Sequence, residues 1–167
     1  WPVATALLGR TEDVGDQNIP LMLWYAIEPL VDEDIDRFIE LALGCEMPLD
    51  REHIARRVAS HRQSSLGIAG LIDLLPKRRE PEFQSSILEG ILRGLEGVRG
   101  MQQPSNWEAA FRELASSESD EVRQASVELA LIFDDPKAIE HLRRQAKDTG
   151  LAIAVRQRAL QALIEKK

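Results

Sequence analysis

The sequence predicts an all-α fold, a right-handed α-α superhelix of about five helical pairs in one domain over residues 1–167. Three observations carry that prediction. First, Asp120 to Leu131 places acidic residues at a helix start, followed by Val122, Ala125, Val127, Leu129 and Ala130 in a small, apolar pattern suited to a helix packed closely on two sides. Second, this pattern returns. Val155-Arg156 follows Val122-Arg123 by 33 positions, Val122 follows Ile87 by 35, Ile87 follows Ile54 by 33, and Ile54 follows Ile19 by 35. Near-equal spacing of five anchors marks an internal repeat, in which each unit buries its apolar face on its neighbours. Third, nothing alternates with period two for long enough to make a strand.

Ten helices follow in order. Val3 to Gly9 carries Ala4, Leu7 and Leu8 on one side, with Gly9 placed to stop it. Asp16 or Asn18 is expected to cap the second helix, and Pro20 sits in its first turn, where a missing N–H costs nothing. Leu23, Trp24 and Ile27 make that helix buried, and Pro29 limits its end. Asp32, Glu33 and Asp34 favour the start of a third helix through its dipole. Its apolar face is Ile35, Phe38, Ile39, Ala42 and Leu43, and Gly44 ends it. Pro48 to Asp50 opens a fourth, carrying Ile54, Val58 and Ala59 among Arg51, Arg56, Arg57 and Arg62. Leu66 to Leu75 is a fifth, closed by Pro76.

The sixth helix, Phe83 to Val98, turns Ile87, Leu88, Ile91, Leu92 and Leu95 inward. Its Gly90, Gly94 and Gly97 would each cost about 1 kcal/mol against alanine in an exposed helix, so the spacing predicts close helix contact there. Gly100 to Pro104 is the longest irregular break. Ser105-Asn106-Trp107-Glu108 fits a capping box, with Ser105 at the cap and Glu108 three residues on, ahead of a seventh helix. The eighth begins at Asp120, Asp134-Asp135-Pro136 divides it from the ninth, and Asp148-Thr149-Gly150 leads into the tenth.

Composition excludes several functions. With 28 acidic and 21 basic residues the net charge is −7, which argues against a phosphate backbone as partner. Cys45 is the only cysteine, so there is no disulfide framework and no CxxCH haem attachment. No run approaches the roughly 18 apolar residues of a membrane span, so no direct membrane insertion is expected. The absence of an initiator Met and of a signal peptide leads to the expectation of a piece of a longer protein.

The residue pattern Asp-x-Val-Arg-x-x-Ala-x-x-Leu at Asp120 to Leu129, echoed at Val155 to Leu163, resembles HEAT repeats. A second likeness is more distinctive. Gly15 to Glu28, with Ala6-Leu7-Leu8-Gly9-Arg10 and Glu12-Asp13 before it and His53-Ile54-Ala55-Arg56-Arg57 after it, resembles the helical region of a family of large planctomycete and verrucomicrobial proteins. These are described as membrane-bound dehydrogenases or haem-binding CxxCH proteins. The resemblance covers about Ala6 to Gly100, and the remainder is similar to HEAT repeats in general. It implies a β-propeller dehydrogenase module before the repeats, a cytochrome-c-like haem module after them, and export to the periplasm or cell envelope. It also implies that catalytic residues and haem ligands lie in those modules. The chain itself is expected to hold no catalytic residue, cofactor or metal, and to act as a scaffold or protein-interaction module. The alternative is a free-standing adaptor that binds a protein or peptide. DNA glycosylases share the HEAT-like architecture but clasp DNA in a basic groove, which this acidic chain lacks.

The residues expected to touch a protein partner are Trp24, Tyr25, Glu28, Arg56 and Arg57. Trp24 and Tyr25 point about 100° apart on a helix, so one of them is expected to be exposed, and Glu28 stands one turn beyond Trp24. Arg56-Arg57 is a basic cluster in an acidic chain. His53 and His61, with Glu52 or Cys45, lack the spacing of a zinc site, and Cys45 lacks the orienting base of a nucleophile pair. Arg123 and Arg156 hold equivalent repeat positions, from which Arg156 is expected to reach Asp120 or Glu121.

Overall fold

The computed structural model describes residues 1–62, 64–98 and 101–165, and among these it contains ten α-helices and no strand. They are α1 (Pro2–Leu8), α2 (Ile19–Ile27), α3 (Ile35–Gly44), α4 (Pro48–Ala59), α5 (Ser64–Ile72), α6 (Pro81–Gly94), α7 (Trp107–Leu114), α8 (Asp120–Ile132), α9 (Pro136–Lys147) and α10 (Ile153–Glu165), with a 3₁₀ segment Glu28–Asp32 after α2. All-α is therefore the fold class. The five repeat anchors fall in α2, α4, α6, α8 and α10, the second helix of each pair. Ile54, Ile87 and Val122 are completely buried.

The ends of the helices follow from local chemistry. Asp16 accepts hydrogen bonds from the Asn18 and Ile19 amides, both at 2.8 Å, and so satisfies the free N–H groups ahead of α2. Asp34 does the same for α3 through the Arg37 amide at 3.0 Å, and Ser119 for α8 through the Val122 amide at 3.3 Å. Asp135 caps α9 through Lys137 and Ala138, directly after Asp134 takes a left-handed conformation with φ of 54° to turn the chain. Two expectations are corrected. The capping box at Ser105 does not form: Asn106 is the N-cap of α7 and its Oδ1 accepts no cap bond, while its amide nitrogen donates across the fold to the Ala69 carbonyl and the Asp73 carboxylate. Helix α6 ends at Gly94 rather than Val98, and Gly97 beyond it adopts φ of +80°, the left-handed region that glycine enters freely, where an added Cβ would meet no other atom. Gly100, the start of the irregular break, lies outside the described residues.

Gly90 and Gly94 are where helix contact becomes closest. A Cβ on Gly90 would stand 2.6 Å from the Ala55 Cβ, and one on Gly94 would stand 2.6 Å from both the Ala59 Cβ and the Arg56 carbonyl oxygen. Gly90 against Ala55 and Gly94 against Ala59 advance together by one turn, so α4 and α6 run parallel, a repeat apart. The small side chains let the two backbones meet.

Extensive contacts join only near neighbours. Helix α2 packs on α4, α4 on α6 and α6 on α8, while α1 packs on α3, α3 on α5 and α5 on α7. At the far end α10 packs on α9, which in turn meets α8. The core runs continuously from Ala4 to Ala138 and includes Phe38, Phe83 and Trp107, all fully buried. The accessible surface is 9641 Å², against about 8,300 Å² expected of a compact monomer of this length. The excess fits an extended arrangement.

Candidate functional site

Polar contacts that cross the fold share one feature. Among the described residues, the ten side-chain hydrogen bonds found between residues more than ten apart span 25 to 37 positions, about one repeat. Each therefore ties one helical pair to the next, and the surface features that could receive a partner are built from adjacent pairs.

The first of these lies across α2, α4 and α6. Trp24, half-buried, stacks against the His53 ring with centroids 5.1 Å apart. Burial holds the His53 imidazolium below its usual range, helped by the guanidinium groups of Arg56 and Arg93, so this ring is neutral and sits in a positive local field. Its Nδ1 is buried without a hydrogen-bond partner. Arg93 forms an ion pair with the Glu52 carboxylate at 2.9 Å, while Arg56 extends into solvent from α4.

The residues expected to meet a partner are thus separated into distinct roles. Tyr25 is 69% exposed, turned about 100° around α2 from the half-buried Trp24. Arg56 is exposed beside the Trp24–His53 stack. Glu28 and Arg57, by contrast, are joined to each other at 2.5 Å, and Arg57 also reaches Asp32 at 3.4 Å. Asp32 in turn meets His61 Nε2 at 3.2 Å. The Arg57 contacts knit the 3₁₀ segment to α4, and Asp32 and His61 border a cavity of about 440 Å³ lined also by Val31, Asp34, Ile35 and Arg62. His53 and His61 serve two different neighbours, and among the described residues no group of three or more potential metal ligands occurs. Cys45 is buried, donates its thiol proton to the Met47 carbonyl at 3.3 Å, and is pushed up to about 12 by burial, so it is a poor nucleophile at neutral pH.

Arg51 is a structural centre that the sequence pattern did not reveal. It is 2% exposed, donates to the Cys45 carbonyl at 2.7 and 3.2 Å and to the Ser86 hydroxyl at 3.0 Å, and lies over the Phe83 ring at 4.8 Å. Arg78 covers the same ring at 4.9 Å and pairs with Glu46 at 3.0 Å. A buried guanidinium held by carbonyls and an aromatic face, with no carboxylate, fastens α4 to α6. Arg51→Ala orphans these acceptors and is expected to cost about 3 kcal/mol in urea unfolding. A loss below about 0.5 kcal/mol, the level of an ordinary surface substitution, contradicts this role.

A second concavity, about 1220 Å³, opens between the face of α8 and that of α10, with the end of α6 and part of α9 on its walls. Arg123, Val127, Leu131, Val155, Arg158 and Ala159 line it. Here the repeat geometry departs from expectation. Arg156 does not reach Asp120 or Glu121 but donates to the Ala146 carbonyl at 3.4 Å, while Asp120 is taken by Arg123 within α8. The groove separates α10 from α8, which puts the rung of a ladder out of range.

No helix among the described residues is long and apolar enough to cross a membrane. No family model matches the chain, and no curated protein or solved structure matches it.

Proposed function

We propose that this chain is a non-catalytic helical-repeat scaffold of the HEAT kind, a right-handed superhelix whose exposed surface holds other proteins or protein modules in place. The reach of the cross-fold hydrogen bonds, 25 to 37 positions, supports it most. Contacts of that reach bind each pair only to the next, and they leave a long surface free on every pair, as a docking scaffold requires. The buried, strongly elevated Cys45 thiol and the internal pairing of His61 favour a structural role for the reactive side chains over a catalytic one. In the setting implied by the resemblance at Gly15 to Glu28, the modules held are an exported propeller dehydrogenase and a cytochrome-c-like haem domain.

Within this reading the Trp24–His53–Arg56 ridge is the contact surface. An aromatic stack beside an exposed guanidinium offers both a flat apolar area and a charge-assisted hydrogen bond. The test is a photo-crosslinking amino acid at position 56 of the full-length protein in its own host, with products identified by mass spectrometry. The scaffold reading predicts a discrete product with another protein or another module of the same polypeptide. Finding no product, or products only with copies of the same segment, contradicts it.

A further inference from the structure

We propose that the groove between α8 and α10 is a second docking site, and that its occupant is a short amphipathic helix of another protein with lysine or arginine along one flank. Elsewhere the second helices of the pairs meet directly: α2 packs on α4, α4 on α6 and α6 on α8. Helices α8 and α10 share no contact of that extent, and the groove stands where the next contact of the series would fall.

The walls have the form that receives a helix. On α8 the lining includes positions 120, 123, 124, 127, 128 and 131, and on α10 positions 155, 158, 159 and 162. Both sets follow the three-and-four spacing of a single helical face. Two such faces across a groove form a seat for the apolar stripe of a third helix. The apolar part of the lining includes Leu95, Val127, Leu131, Leu142, Val155 and Ala159. Val155 and, beyond the end of α6, Val98 are 37% and 40% exposed, so large apolar side chains on the groove are left in water. Size agrees as well. Ten residues of helix, about 15 Å long and about 10 Å across, displace about 1,200 Å³, and the groove offers about 1220 Å³.

Charge selects the occupant. Four acidic side chains line the groove, Glu96, Asp120, Glu128 and Asp134, against two arginines, Arg123 and Arg158. Asp120 and Arg123 pair with each other within α8. The other three carboxylates all belong to α8 or to the segments just beyond α6 and α8, and the other guanidinium belongs to α10. Glu96 and Glu128 are exposed, and among the described residues neither forms an ion pair; Glu128 accepts a hydrogen bond from the neutral Gln124 side chain at 3.0 Å. A basic flank laid along that side meets opposite charge, and an acidic flank meets like charge. A second copy of this chain brings a net charge of −7 with it, so a different, basic protein is the better complement. The groove shares no residue with the Trp24–His53–Arg56 ridge, so either contact can fail without the other.

Fluorescence anisotropy with three labelled synthetic peptides of about four helical turns tests it. The first carries leucine at helical spacing on one face, lysine beside that stripe and glutamine elsewhere; the second has glutamate for lysine; the third has the residues of the first reordered so that no stripe forms. The first is expected to bind the 167-residue chain saturably, the second roughly tenfold more weakly or worse, and the third not at all. E96K/E128K, substituted at exposed positions and with unchanged helical circular dichroism, is expected to reverse the order of the first two. Val155→Asn is expected to weaken both by roughly tenfold, because it removes apolar lining without adding charge. No saturable binding of the first peptide, equal affinity for the first two, or an unreversed order in E96K/E128K overturns the inference. A concentration-dependent dimer of the chain alone that the first peptide disperses in sedimentation velocity also overturns it, and gives the groove to a second copy. The crosslink expected at position 56 is unaffected by any of these outcomes.

Discussion

Gly90→Ala is expected to destabilise the fold by about 3 kcal/mol, although alanine is the better helix former by about 1 kcal/mol. The reason lies in what the new methyl group would meet. The Glu52 carbonyl and the Arg56 amide belong to the backbone of α4, and Ala55 presents its Cβ at 2.6 Å. None of these is the end of a flexible side chain, so relief requires the two helices to separate and α4 and α6 to lose their closest contact. Gly90→Val should cost more still. Gly94→Ala meets the same obstacle at Ala59 and the Arg56 carbonyl, one turn along. Gly44 supplies the control: a Cβ there meets nothing, and Gly44→Ala is expected to leave stability unchanged or raise it by up to about 1 kcal/mol. Chemical denaturation of the four variants reads this directly, and equal effects of alanine at positions 44 and 90 would refute the close approach.

Asp50→Asn is expected to act in the opposite direction. Asp50 is 0% exposed in the first turn of α4, and neither carboxylate oxygen has a hydrogen-bond partner. Burial raises its pKa to about 7 from an ordinary 3.8, so the folded state holds the proton that the unfolded chain releases. Stability from this group is complete below about pH 4, falls as pH rises through the folded pKa near 7, and is lost above it. The three-unit difference corresponds to about 4 kcal/mol at pH 8. Asparagine keeps the shape and does not titrate. The variant should therefore be more stable than the wild type by about this amount at pH 8 and nearly equal to it at pH 4. A wild-type-to-variant difference that does not change with pH would show that Asp50 remains charged in the folded protein.

Much of the architecture was legible in the residues. The spacing of Ile54, Ile87 and Val122 located α4, α6 and α8, where all three are buried, whereas the same register lands on a half-buried Ile19 and on Val155, which is 37% exposed. The glycines of α6 were legible for a related reason: three costly residues in one helix require compensation, and at Gly90 and Gly94 it is contact with α4. Gly97 carries a different signal, a left-handed turn, which looks the same in sequence. The polar interior was not legible. Whether Arg51 is buried depends on carbonyls and a hydroxyl supplied by Cys45 and by Ser86, the latter 35 positions away. Nothing in its own neighbourhood distinguishes it from the exposed Arg56. Glu28 and Arg57, read separately as partner contacts, satisfy each other across 29 positions. Asn106 was read as part of a cap, yet its donors serve α5 instead. In each case a polar group's partner sits one repeat away, where local periodicity carries no information. The open groove beside α10 was equally hidden, since the echo of Val122-Arg123 at Val155-Arg156 specifies a similar helix and not how closely it approaches α8.

Small-angle X-ray scattering of the chain at concentrations where it is monomeric tests the stacked arrangement most directly. A file of helical pairs bonded only to their neighbours predicts a radius of gyration well above the roughly 15 Å of a compact globule of this length, with an asymmetric distance distribution trailing to long separations. A radius near 15 Å with a symmetric distribution would mean that the helices close around a single centre, and would contradict it.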